Sequence, residues 1–189
     1  MKNSEIKFQL FPKTKKPTKL MKEVIAVFRR NENKIGSTKN RIGSTKKNLK
    51  SDEVLKILSN DLIGIGFVVE KDKKNKQSFG VPFRSKEEVL KSQSFDVDAF
   101  HSRGKIILEI EAGRAVANYQ FLKDFFEACV IPDAENLIIA VRNIYYTKKK
   151  ESNEFRESKD FEKVIKYFET LYTSNRLQIP LKRLLIIGY

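Results

Sequence analysis

Four carboxylates fall within one short stretch, FDVDAFHSRGKIILEIEAGR at residues 95–114: Asp96, Asp98, Glu109 and Glu111, set among residues otherwise suited to the inside of a β-sheet. Side chains on a strand alternate between its faces, so FDVDAF places Asp96 and Asp98 on one side and Phe95, Val97 and Ala99 on the other. KIILEIE likewise groups Glu109 with Glu111, opposite Leu108 and Ile110. If the two runs pair through the HSRG turn, at least one Asp comes close to a Glu, and like charges opposed across strands destabilise a sheet. A divalent cation offsets that repulsion, since Mg²⁺ takes oxygen ligands and commonly uses one or two carboxylates with a substrate phosphate. On a wet face the same acids would instead meet Lys or Arg partners. The apolar setting favours a metal site, because buried carboxylates are costly unless paired or metal-bound.

The flanking sequence supplies elements that could hold such a hairpin. SDEVLKILSNDL reads as a helix with Ser51 as N-cap, leading into IGIGFVVE as a first strand that ends at Glu70. A Lys-rich loop follows, and Ser85 with Glu88 matches the cap of a short helix through Leu90. Beyond the two acid-bearing strands, residues 114–129 show an apolar stripe of Ala115, Tyr119, Leu122, Phe126 and Cys129, predicting a helix. LIIAVRN reads as a buried strand, TKKKESNEF as a charged loop, DFEKVIKYFETLYTSN as an amphipathic helix and RLLIIGY as a last buried strand. Strand-helix-strand repeats imply parallel pairing and the hairpin adds an antiparallel part, so a mixed sheet of about five strands with helices on both faces is expected.

Charge is unevenly shared along the chain. The net charge is +14 over 189 residues, and residues 1–50 hold 15 Lys and Arg against Glu5, Glu23 and Glu32, a balance of +12. The remaining +2 leaves residues 51–189 nearly neutral, which suggests a basic N-terminal helix and linker (1–50) joined to one α/β domain (51–189). A concentrated basic segment attracts polyanions, nucleic acid first among them, through counterion release. Within it, PTKLMKEVIAVFRRNEN is an amphipathic helix on Leu20, Val24, Val27 and Phe28. IGSTK occurs at 35 and again at 42 and reads as a flexible basic linker, with phosphate contact by its Ser, Thr and Lys as the functional alternative. The start MKNSEIKFQL lacks the apolar run of a secretory signal, no window approaches about 18 apolar residues, and Cys129 stands alone, so a cytoplasmic protein without membrane or disulfide is expected. His101, the only histidine, reads as an exposed turn residue.

In the order of its elements the chain resembles the PD-(D/E)XK nuclease superfamily, the restriction-endonuclease-like fold. The motif is Asp98, ten intervening residues, then Glu109-Ile110-Glu111, and the likeness spans residues 51–189. Glu111 stands where the superfamily usually has Lys, a spelling similar to that of BamHI-type restriction enzymes. The resemblance implies a three-layer α/β fold and a Mg²⁺- or Mn²⁺-dependent endonuclease hydrolysing DNA, type II restriction-like in character. It implies metal ligation by Asp98 and Glu109, with Glu111 as base or second ligand, and a further carboxylate from the preceding helix or first strand, for which Glu53 and Glu70 are candidates. Lys123 is placed to lend positive charge, and Arg114, Asn118 and Gln120, which open the helix after Glu111, are placed to bind phosphate, Arg114 and Asn118 lying one turn apart. A non-catalytic nucleic-acid-binding protein that keeps this fold is the alternative. DNA against RNA, and monomer against homodimer, stay open.

Overall fold

A computed structural model describes residues 5–36, 49–70, 77–84, 89–113, 115–148 and 155–189. Its centre is a mixed six-stranded sheet in the order β1 (Lys7–Phe11), β10 (Arg183–Gly188), β7 (Asn136–Val141), β6 (Ile106–Glu111), β5 (Ala99–His101), β2 (Val68–Val69). β6, β7 and β10 run parallel, while β1, β5 and β2 pair antiparallel with their neighbours. The parallel strands are apolar along their whole length because both of their faces are covered. Leu108, Ile110, Ile138, Ala140, Leu185 and Ile187 pack beneath α1 (Lys19–Ile35) and α2 (Ser51–Gly64). Ile107, Leu137, Ile139, Val141, Leu184 and Ile186 pack beneath α3 (Gln120–Val130) and α4 (Asp160–Ser174). The result is three layers, helices on a mixed sheet on helices. Two hairpins stand apart, β3 (Gln77–Arg84) with β4 (Val89–Val97) and β8 (Tyr145–Lys148) with β9 (Phe155–Ser158).

The N-terminal segment is part of this body. β1 closes one edge of the sheet on β10, and α1 buries Met21, Val24, Val27 and Phe28 in the core. Thr18 caps α1, its Oγ1 accepting from the Met21 N–H at 3.1 Å. A boundary at residue 50 therefore does not divide the core, whereas the second IGSTK and most of the first, within 37–48, lie outside the described residues.

Several local expectations are corrected. The sheet has six strands because the polar-looking KFQLF pairs with β10 as an edge, where only one side needs apolar residues. Val89 and Leu90 belong to strand β4, not to a short helix, and the cap assigned to Ser85 and Glu88 lies outside the described residues. The first strand shrinks to Val68–Val69, since α2 runs on to Gly64. The loop around TKKKESNEF contributes to a hairpin, and the helix expected from 114 begins at Gln120, after a turn that ends at Tyr119 with φ 52°.

Candidate active site

β6 points Glu109 and Glu111 toward α3, on the side it shares with Ile107, while Leu108 and Ile110 face the opposite layer. Glu109 is 9% exposed and Glu111 half-buried at the strand end. Asp98 is the bend between β4 and β5. Since Ala99 pairs with Leu108, Asp98 lies level with Glu109, and its Oδ2 accepts the Ile110 N–H at 2.8 Å. The Asp98 backbone N–H in turn donates to the Glu109 carboxylate. The expected hairpin thus brings Asp98, Glu109 and Glu111 together.

The bend changes the pleat. Val97 packs in one layer and Ala99 in the other, so FDVDAF is not one alternating strand and Asp96 does not share a face with Asp98. Asp96 is exposed on β4, level with Ser78 of β3. Asp98 is consequently the only one of the two Asp residues that joins the glutamates.

α3 adds three charged groups. Asp124 is 7% exposed and Glu127 8%, and both sit on the buried side of the helix. Lys123 Nζ pairs with Glu127 Oε1 at 2.9 Å. Asp124 lies within hydrogen-bonding reach of Glu111, yet its Oδ2 is buried with no hydrogen-bond partner. An unpaired buried carboxylate oxygen is costly, on the order of 1–3 kcal/mol or more. Lys123, proposed from sequence as a source of positive charge, is therefore at the cluster. Asp124 and Glu127 went unnoticed in the sequence, although Asp124, three residues after Phe121 and four before Ala128, interrupts the buried stripe.

Crowding and burial push these acids toward their neutral forms. Burial, then the charges of Asp98 and Asp124, hold the Glu109 carboxyl well above the usual range. Burial and Asp98 raise Glu111 to about 7, opposed by Lys123. Burial and Glu111 raise Asp124 to about 8. Desolvation pulls Lys123 down, but its bond to Glu127 and the fields of Glu127, Asp124 and Glu109 outweigh this and leave it above its ordinary value. One ammonium facing five carboxylates leaves the site short of positive charge.

The remaining candidates lie nearby or elsewhere. Glu53 caps α2, its Oε2 accepting the Lys50 N–H at 2.6 Å, which makes Lys50 the N-cap and Ser51 the first helical residue. Ser51 Oγ instead accepts the Ala112 N–H at 3.1 Å, seating the α2 N-terminus beside the end of β6. Glu70 donates its backbone N–H to the Asp98 carbonyl at 2.8 Å. Asn118 is exposed in the turn before α3, Gln120 opens the helix, and Arg114 lies outside the described residues, so the helical pairing of Arg114 with Asn118 does not form. His101 is half-buried, accepting the Gly104 N–H at 2.8 Å and lying edge-on to Phe67. Tyr189 is buried, and its hydroxyl donates to the Glu111 carbonyl at 3.3 Å.

The donors are all hard carboxylate oxygens, the type Mg²⁺ and Mn²⁺ take, and the orphaned Asp124 oxygen is the kind of group a cation would satisfy. Among the described residues, however, no three His, Cys, Asp or Glu side chains converge as a ready ligand set. Asp98 shows why, since one of its oxygens is turned onto a backbone N–H. Donor chemistry fits a divalent cation, and ligation requires these side chains to turn toward it. No family model matches the chain, and no curated protein matches its sequence significantly.

Proposed function

We propose that the protein is a Mg²⁺- or Mn²⁺-dependent nuclease that hydrolyses DNA phosphodiester bonds, with Asp98, Glu109 and Glu111 as its working carboxylates. The observation that carries the reading is the buried acid cluster itself: five carboxylates around one Lys, three of them held above their usual range. Burying that much like charge destabilises the fold unless a cation or a proton offsets it. The helix, three-strand meander, helix, parallel strand order of α2, β2, β5, β6, α3 and β7 supports the restriction-endonuclease-like reading of the fold.

Asp98, Glu109 and Glu111 would hold the ion, with Asp124 the nearest additional donor. When bound, such an ion polarises the phosphate, lowers the pKa of its water and neutralises developing charge. Glu111, at the open end of β6, is the residue placed to accept a proton from the attacking water. Lys123 stands beside the acids on a helix rather than on β6, and its ammonium supplies fixed positive charge near the scissile phosphate. The neighbouring N-terminus of α2 adds a favourable partial charge for an anionic group.

A non-catalytic nucleic-acid-binding role is the second reading, favoured by the bond that ties Asp98 Oδ2 to Ile110 and by the lack of a gathered ligand set among the described residues. Incubation of plasmid DNA with Mn²⁺ or Mg²⁺ separates the two. Cleavage by the wild type that vanishes in Asp98→Asn but persists in Asp96→Asn is expected. DNA binding without cleavage by the wild type, and no metal-induced rise in melting temperature, would establish the second reading.

A further inference from the structure

The near-neutral balance of residues 51–189 hides a sorting of charge between the two ends of the sheet. Ile106, Asn136 and Arg183 lie level with one another at the start of the three parallel strands, and Phe11 ends β1 opposite Leu184. Four connections therefore meet at this end: residues 12–18, 102–105, 131–135 and 175–182. Together they carry seven Lys and Arg against only Asp133 and Glu135, a balance of +5. The carboxylates of Glu109 and Glu111 lie toward the other end of β6, roughly 10–17 Å along the strand at about 3.3 Å per residue.

The connections are fixed to one another rather than loose. Lys15 Nζ donates to the Lys182 carbonyl at 3.0 Å, and Arg183 Nε donates to the Lys16 carbonyl at 3.1 Å. Glu135 is occupied twice, by Lys105 at 3.0 Å and Lys182 at 2.5 Å. Lys16, Arg103 and Arg176, one from each of three connections, are exposed and have no acidic partner among the described residues. Between the first and last connections lies an open cavity of about 730 Å³, whose polar lining includes Lys15, Arg176, Lys182, Asn175 and Gln178. From the β5–β6 turn to the β1 loop the end spans four strand spacings, on the order of 20 Å.

We propose that this end of the sheet is a second nucleic-acid contact, binding the phosphodiester backbone without reading sequence, at a place remote from the carboxylate cluster. Unpaired cations spread across about 20 Å on fixed loops match a row of phosphates, whose counterions are released on binding. Base recognition is not implied, because phosphate contacts position a duplex and carry no sequence information directly. The interaction requires nucleic acid as partner but not cleavage, so it is tested without metal.

The test compares Lys16→Gln/Arg103→Gln/Arg176→Gln with a control of equal charge loss on other faces, Arg29→Gln/Lys56→Gln/Lys166→Gln, after confirming that both melt like wild type. Fluorescence anisotropy with a 30-base-pair duplex in EDTA, from low to moderate salt, gives the slope of log K against log salt. The slope is expected to fall by up to about 2.7 in the first variant, at about 0.9 for each phosphate no longer neutralised, and to change little in the control. Equal decreases in both variants would reduce the effect to net charge, and no decrease in either would exclude phosphate binding at this end; both outcomes overturn the proposal. Preferential binding to vesicles with anionic headgroups, abolished in the first variant while duplex affinity is unchanged, would also overturn it. Failure of the nuclease reading shows separately, as absent cleavage by the wild type in Mn²⁺.

Discussion

Asp124 Oδ2 and the two β6 glutamates share one problem: each is charged only at the expense of the folded state. A carboxyl whose pKa is higher folded than unfolded binds more protons when folded, so its stabilising contribution is present at low pH and is lost as pH rises through the folded value. For Glu111 and Asp124 that window opens near the ordinary carboxylate range and closes at about 7 and about 8. In EDTA, thermal melts should therefore show stability falling from pH 5 to pH 9, by up to about 1.4 kcal/mol per pH unit for each titrating group. Mn²⁺ should restore most of the loss at pH 9, because a ligand of the folded state alone stabilises by mass action. Glu109→Gln, at pH 9 without metal, is expected to be more stable than wild type by about 1 kcal/mol, on the scale of opposed cross-strand charges, and to lose the response to Mn²⁺. A less stable mutant, beside a wild type indifferent to Mn²⁺, would identify the acids as structural ion-pair partners. The grouping of Asp98 with Glu109 and Glu111 is legible in the sequence from strand alternation and a short turn. The exclusion of Asp96 is not, because it follows from a bend at Asp98 that alternation alone does not announce.

Arg142, just beyond β7, shows how the elements are locked around the cluster. It is 1% exposed, with Nε donating to the Ala112 carbonyl at 2.5 Å and Nη2 to the Leu49 carbonyl at 2.8 Å, and its guanidinium lies 5.5 Å from the centre of the Tyr189 ring. One side chain thus ties the ends of β6 and β7, the approach to α2 and the last residue of β10's continuation. Arg142→Ala strands buried carbonyls and opens a cavity, for an expected loss of about 3 kcal/mol in chemical denaturation. Arg142→Lys should recover only part of it, since an ammonium cannot reproduce the planar fork. Full rescue by Lys would mean that charge rather than geometry matters there. LIIAVRN shows this Arg only as a polar end to an apolar run, and periodicity gives no sign that it turns inward. Helix α3 teaches the same point, for its apolar stripe was legible while its start moved from 114 to Gln120, where Tyr119 takes a left-handed turn.

Whether the N-terminal segment is an arm or a wall of the molecule is decided by what it buries. Met21, Val24, Val27, Phe28 and Ile35 are all buried, and β1 supplies an edge strand. Burying one such side chain is worth about 1.5–3 kcal/mol, so deleting residues 1–36 should abolish cooperative melting rather than merely weaken DNA binding. Neutralising Lys39, Arg41, Lys46 and Lys47 to Gln should instead leave the melting temperature within about 2 °C, since surface changes rarely exceed about 0.5 kcal/mol, while reducing the salt slope of DNA affinity if that stretch touches phosphate. A stable, cooperatively folding 37–189 fragment would restore the view of an appended arm. The sequence by itself determined the class of the molecule and most of its elements, because apolar periodicity and turn residues act over a few positions: buried runs at LIIAV and RLLIIG, amphipathic helices, and an acid-bearing hairpin. Only the tertiary structure decided that KFQLF is a strand, that Asp124 and Glu127 join the acids, and that cations from four connections gather at the opposite end. Those features depend on pairing across as many as 180 residues of chain, which local pattern does not encode.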